Sequence, residues 1–139
     1  MRTSNIFVTV DIVICKKIGD VHQLLLIRRK NDPFKGSWAL PGGFVDEGED
    51  LDAAALRELQ EETSIRISNV EQLRAYGKPD RDPRHHTVSV AFFAFVPDDT
   101  QAKAADDAED AHWFNINELP EIAFDHAEII SFAKAKLQL

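Results

Sequence analysis

The sequence predicts an α/β sandwich in which a mixed β-sheet is covered on both faces by helices. Three observations predict it. Runs of β-branched and bulky apolar residues recur along the chain, two segments starting at Asp50 and Asp125 carry helical patterning, and Val88 to Val96 is apolar on both of its faces. A length of 139 residues with 44% hydrophobic content can bury one core, so a single domain over residues 1–139 is expected.

The elements follow in order. Residues 6–15 and the run Leu24-Leu25-Leu26-Ile27 read as two strands joined by a Gly-containing turn at Lys17 to Asp20. Asn31 to Ser37 has the turn residues of a loop, Trp38-Ala39-Leu40 is a short strand edge, and Pro41-Gly42-Gly43 reads as a flexible glycine turn. Asp50 caps a helix that runs to about Thr63, because Leu51, Ala55 and Leu59 form an apolar stripe at four-residue spacing. Val70 to Tyr76 is a further strand. In Val88 to Val96 the residues Val88, Val90, Phe92, Ala94 and Val96 share one face, while Phe93 and Phe95 make the other face apolar too, which places the strand centrally. The acidic stretch 98–110 reads as a mobile or metal-facing loop, and Ala111 to Ile116 as the last strand. Asp125-His126-Ala127-Glu128 has capping-box spacing ahead of a final amphipathic helix, with His126 as a local hydrogen-bonding group.

Charge narrows the function. Sixteen basic against 24 acidic residues give a net charge of −8, which argues against binding a nucleic-acid backbone or an anionic membrane. No apolar run approaches the roughly 20 residues that span a bilayer, and Met1 to Asn5 lack the start of a signal peptide, so a cytoplasmic protein is expected. The single cysteine, Cys15, follows Ile12-Val13-Ile14 and reads as a small buried hydrophobe.

The chemistry concentrates on the first helix. Glu58, Glu61 and Glu62 stand at i, i+3 and i+4, so their carboxylates project from one face and repel each other. A hard cation such as Mg²⁺ or Mn²⁺, which takes oxygen ligands and bridges phosphates, would offset that repulsion; taken alone, the same pattern also fits a solvated acidic face. Arg57, four residues before Glu61, can pair with one of them.

Upstream lie Gly42-Gly43 and Glu49. The combined pattern Gly43-x5-Glu49-x7-Arg57-Glu58-Leu59-Gln60-Glu61-Glu62-x-x-Ile65 closely resembles the box of the Nudix hydrolase family, with one departure at Ser64, where that family has glycine. The position ends the helix at positive φ, which costs serine about 1 kcal/mol relative to glycine. The resemblance implies a Nudix-type α/β/α sandwich that hydrolyses a nucleoside diphosphate linked to another moiety. It implies Glu58, Glu61 and Glu62 as metal ligands with the Gly43 carbonyl, Arg57 and Glu49 as residues that orient the carboxylates, and Glu58 as the first choice of general base, with Asp107 or Glu109 as alternates. It also implies a homodimer.

Three further segments, Trp38 to Val45, Pro79 to Arg84 and Ala123 to Glu128, resemble the ADP-ribose pyrophosphatase branch of the family. That resemblance implies a small nucleotide substrate cleaved to AMP and ribose 5-phosphate. Arg81 and Arg84, on a proline-stiffened turn, would contact phosphate or ribose, and Phe34 or Phe44 would stack on adenine. Arg28 or Arg29 would reach a phosphate; Arg28 is the choice here, since strand alternation allows only one to face a pocket. Two other readings stand beside this one: hydrolysis of oxidised nucleoside triphosphates or other dinucleotides, and a non-catalytic module that senses ADP-ribose. Against the sensor stand the intact glutamates and the lack of residues for a winged helix beyond the sandwich.

Overall fold

Strand β1 (Phe7–Ile18) runs through the middle of the computed structural model, which describes residues 1–139. After the Gly19-Asp20 turn come β2 (Val21–Arg29), β3 (Trp38–Ala39), β4 (Gly42–Phe44), α1 (Leu51–Thr63), β5 (Glu71–Tyr76), β6 (Thr87–Phe95), β7 (Ala108–Asn115) and α2 (His126–Leu137). The sheet order is β3-β2-β1-β6-β5, with β4 also on β1 and β7 on β2. Only β1 and β6 pair in parallel, from Phe7 opposite Thr87 to Cys15 opposite Phe95, so the sheet is mixed as expected. No helix is long and apolar enough to cross a membrane.

Alternation along β1 divides the core into two layers. Val10, Ile12 and Ile14 point to one face and pack with Ala54, Ala55 and Leu59 of α1, together with Val90 and Phe92 of β6. Val13 and Cys15 point to the other and pack with Ile129, Ile130 and Ala133 of α2. The sandwich is therefore α/β/α, and burial raises the Cys15 thiol to about 11, which leaves it an inert hydrophobe.

Beyond the pairing of Cys15 with Leu24, β1 and β2 part company. The first half of β1 pairs with β4, Val10 opposite Gly43 and Asp11 opposite Gly42, whereas the end of β2 pairs with β3 and β7. The space between these diverging strands becomes the cleft described below.

Three expectations need correction. Gly42-Gly43 is not a flexible turn but part of a strand, and both residues must lack a side chain: a Cβ on Gly42 would lie 2.1 Å from the Val10 carbonyl oxygen, and one on Gly43 2.5 Å from the Glu58 carboxyl carbon. The acidic stretch is pinned rather than mobile, because Lys103 N–H donates to the Thr63 carbonyl at 2.8 Å and Ala105 N–H to that of Glu62 at 3.2 Å, and Glu109 and Asp110 belong to β7. Asp125 precedes α2 but makes no side-chain cap; its carboxylate is drawn away by Arg81. Ser64 does end α1 at φ 63°, and its hydroxyl donates to the Lys103 carbonyl at 2.9 Å.

Candidate active site

The cleft encloses about 340 Å³ and has an acidic wall and a basic wall. The acidic wall comes from α1. Glu58 and Glu62, one helical turn apart, both line it, and Asp107 joins them from the pinned loop. Glu62 is buried, with Oε1 accepting the Gly42 N–H at 2.8 Å. Burial pushes its carboxyl up to about 8; the Gly42 bond works against this, while Glu58, Asp11 and Asp107 add to it. The Glu58 carboxyl is raised by the same cause, burial, and Arg57 offsets this only in part.

Arg57 organises the box. Its Nε and one amino group make a bidentate pair with Glu49 at 2.7 and 2.9 Å, its other amino group meets Glu58 at 2.9 Å and Glu61 at 3.2 Å, and the Phe44 carbonyl accepts a further bond at 3.0 Å. The Glu49 carboxyl is held down to about 2, first by Arg57 and then by the Asp46 N–H, and the guanidinium is stabilised in turn. This hub also accounts for a departure from expectation. Glu61, its side chain 42% exposed, is held in the i,i+4 pair with Arg57 and does not line the cleft, and no three acidic or imidazole side chains converge closely enough to enclose an ion.

The donor set nonetheless fits a hard divalent cation. Glu58 and Glu62 offer only oxygen, they face each other's charge in a buried wall with no lysine or arginine bound to Glu62, and the Gly43 backbone lies against the Glu58 carboxylate with no side chain between.

The basic wall is built on Arg29 and Arg84. Their guanidinium carbons lie 5.0 and 5.9 Å from the Phe124 ring centroid, and Arg84 is also 5.3 Å from that of Phe44. Burial lowers the Arg29 guanidinium pKa and the like charge of Arg84 lowers it further. Arg84 is paired with Asp82 through its Nε and one amino group at 3.1 and 2.8 Å, and Arg29 Nε donates to the Pro33 carbonyl at 2.7 Å, which leaves the other amino group of Arg84 and both of Arg29 able to meet an anion.

A NUDIX domain family profile matches residues 6–132, nearly the whole chain. This chain belongs to the Nudix hydrolase family. Over 109 residues it is 49% identical to the ADP-ribose pyrophosphatase of Methanocaldococcus jannaschii, covering 78% of this chain and 64% of that protein. Over 133 residues it is 37% identical to the ADPR responsive transcriptional repressor NtrR of Acinetobacter baylyi, covering 93% of this chain and 53% of the repressor. The chain thus spans between half and two-thirds of the length of these relatives. Among solved structures, the NUDIX domain of Shewanella oneidensis NrtR complexed with ADP ribose superposes with a TM-score of 0.88 at 33% identity, covering 97% of this chain and 90% of that one.

Within the Nudix box, Glu49, Arg57, Glu58, Glu62 and Gly43 are brought together as the sequence implied. Phe44 lines the cleft, half exposed, whereas Phe34 packs its ring 4.7 Å from Phe124 and does not. Arg28 is not a cleft residue: it turns outward to the Gly36 carbonyl and to exposed Glu109, 3.8 Å away, and alternation delivers Arg29 to the cleft instead. Arg81 touches the cleft, but its side chain is only 4% exposed and its guanidinium is spent in a two-point pair with Asp125 at 2.6 and 2.9 Å. Arg81 is a structural arginine. Asp11 and Phe124 also line the cleft, and neither is a site residue that the sequence alone picks out. Asp11 had a signal, being the one charged residue in the apolar run Phe7 to Cys15; Phe124 lies in the family-like segment Ala123 to Glu128, but only the docking of α2 shows that its ring reaches the cleft.

Proposed function

We propose that this Nudix domain hydrolyses the pyrophosphate bond of a nucleoside diphosphate derivative, converting ADP-ribose and water to AMP and ribose 5-phosphate. One observation carries the reading: a single cleft opposes two carboxylates of raised pKa to two guanidiniums flanked by Phe44 and Phe124. Similarity to an ADP-ribose pyrophosphatase over 78% of the chain supports the substrate.

Glu58 and Glu62, with the Gly43 carbonyl, would hold Mg²⁺ or Mn²⁺, and Glu61 would join them on leaving its pair with Arg57. When bound, the cation neutralises charge on the pyrophosphate and acidifies water. Arg29 and Arg84 bind the phosphate oxygens, Phe44 and Phe124 offer flat apolar faces to a base or sugar, and Arg57 keeps Glu58 in place through its own link to Glu49. Glu58, lining the cleft against the Gly43 backbone and held there by Arg57, is the residue we assign to take the proton from the attacking water as the bridging P–O bond breaks.

A second reading, binding of ADP-ribose as a regulatory signal, is favoured by the repressor relative and by the ADP-ribose-bound NUDIX domain. One experiment separates the readings. Purified protein with Mg²⁺ is assayed for release of the nucleoside monophosphate, AMP from ADP-ribose, NADH and diadenosine polyphosphates and the oxidised guanosine monophosphate from an oxidised guanosine triphosphate, beside the Glu62→Gln variant. The expected outcome is chelator-sensitive AMP release from ADP-ribose, reduced at least about 100-fold in Glu62→Gln. Faster turnover of the triphosphate discards the substrate, and tight ADP-ribose binding without turnover of any compound supports the signal reading.

A further inference from the structure

His126 opens α2 at the floor of the cleft, 64 residues beyond Glu62 in the chain, and both of its ring nitrogens are committed. Nδ1 accepts the Leu40 N–H at 3.0 Å, and Nε2 stands 3.3 Å from Asp11 Oδ1. A ring nitrogen that accepts an N–H carries no proton itself, so the proton of the neutral ring sits on Nε2 and points at Asp11. With the residue 5% exposed and neither nitrogen free, the ring has nothing to offer a substrate.

What it holds is backbone. Leu40 leads into Pro41, whose carbonyl accepts the Ile12 N–H at 2.9 Å, and then into Gly42, whose N–H donates to Glu62 Oε1 at 2.8 Å. The next residue, Gly43, lies against the Glu58 carboxylate with no room for a methyl group. Asp11 is fixed on its other oxygen by the Ser89 hydroxyl, and the residue just before His126, Asp125, is fixed by Arg81. His126 therefore stands on an anchored base and grips one end of a four-residue segment whose other end touches both cleft carboxylates.

We infer that His126 is a positioning residue for hydrolysis: through the Leu40 N–H it sets the backbone of residues 40–43, and that backbone orients Glu62 and Glu58. The inference rests on the hydrolytic reading of the cleft. It makes α2 a participant in a reaction whose proposed ligands all lie in β4 and α1, and it assigns the histidine a role through hydrogen-bond acceptance rather than proton transfer.

Two amide substitutions separate this role from simple packing, because an asparagine amide falls near Nδ1 of the imidazole it replaces and a glutamine amide near Nε2. His126→Asn keeps an acceptor for Leu40, and His126→Gln keeps a partner for Asp11. The readouts are kcat and KM on a hydrolysed substrate with Mg²⁺, the thermal midpoint, and amide hydrogen exchange of the peptide covering residues 40–43 in metal-free protein. For His126→Gln, kcat is expected to fall roughly 10- to 100-fold with a smaller change in KM, while His126→Asn stays within about threefold of the parent. Exchange over residues 40–43 rises in the glutamine variant and not in the asparagine variant, at similar thermal midpoints. Equal losses in both variants that track the thermal midpoint overturn the inference, and so does unchanged exchange in His126→Gln. Failure of the substrate reading shows separately, as silence of the parent protein on ADP-ribose, and the exchange comparison decides the role of His126 in that case as well.

Discussion

Arg81 and Arg84 stand three positions apart on one turn and have opposite roles, which burial decides. Arg81 is closed off and paired with Asp125; Arg84 keeps a third of its side chain exposed over Phe44 and Phe124. Arg81→Ala is expected to lose about 1–3 kcal/mol of stability in urea unfolding, because it removes a buried side chain together with its two charge-assisted bonds to the half-buried Asp125 carboxylate. Arg84→Ala is expected to lower kcat/KM for ADP-ribose about tenfold or more, the loss of one charge-assisted contact, and also to cost about 1–3 kcal/mol in urea unfolding because it leaves the buried Asp82 carboxylate without its partner, so the kinetics are read under conditions where the variant stays folded. The partner of Arg84, Asp82, gives a pH prediction. Burial acts to raise its carboxyl, but the Arg84 guanidinium and backbone N–H outweigh that, so its folded pKa lies below the ordinary 3.8. A depressed carboxyl contributes stability above its unfolded pKa that is lost as pH falls through the folded value. Thermal midpoints followed downward from pH 6 should therefore fall less steeply below about pH 4 in Asp82→Asn than in the parent; identical acid limbs would count against the pair.

At the scale of elements, the end of α1 shows how one departure from a family pattern is accommodated. Ser64 takes the left-handed conformation that favours glycine, and its hydroxyl fastens the Lys103 carbonyl of the acidic segment, which also donates to the last two carbonyls of the helix. The strain of about 1 kcal/mol is matched by a hydrogen bond of similar worth. Ser64→Gly should thus be close to neutral in urea unfolding, whereas Ser64→Ala keeps the strain, loses the bond and should cost about 1 kcal/mol. The segment so pinned delivers Asp107 to the cleft, and this is why a stretch whose composition suggests mobility is part of the site.

For the whole molecule, β1 and β6 form the spine against which both helices pack, and their parallel pairing sets the two core layers on either side of the sheet. Phe92, 1% exposed at the centre of the α1 layer, is the largest fully buried side chain. Phe92→Ala is expected to cost about 3–5 kcal/mol in chemical denaturation, a large share of the roughly 5–15 kcal/mol of a typical domain. A loss under about 1 kcal/mol would mean that the layer collapses to fill the space. The sequence by itself determined the sandwich, the order of its main strands and helices and the Nudix box, because apolar periodicity and residue spacing along one helix are local properties that the chain carries with it. Glu49, Arg57, Glu58 and Glu62 lie within one helix and its approach, so their convergence needed no long-range information. Tertiary structure alone decided the basic wall and the role of α2. The choice of Arg29 over Arg28 depends on which face of β2 meets the cleft, and Asp125 is taken from its cap by an arginine 44 residues away. His126, Asp11, Phe124 and Leu40 meet only when α2 docks on the sheet. Contacts between residues so far apart are set by how layers pack, and packing leaves no period in the sequence.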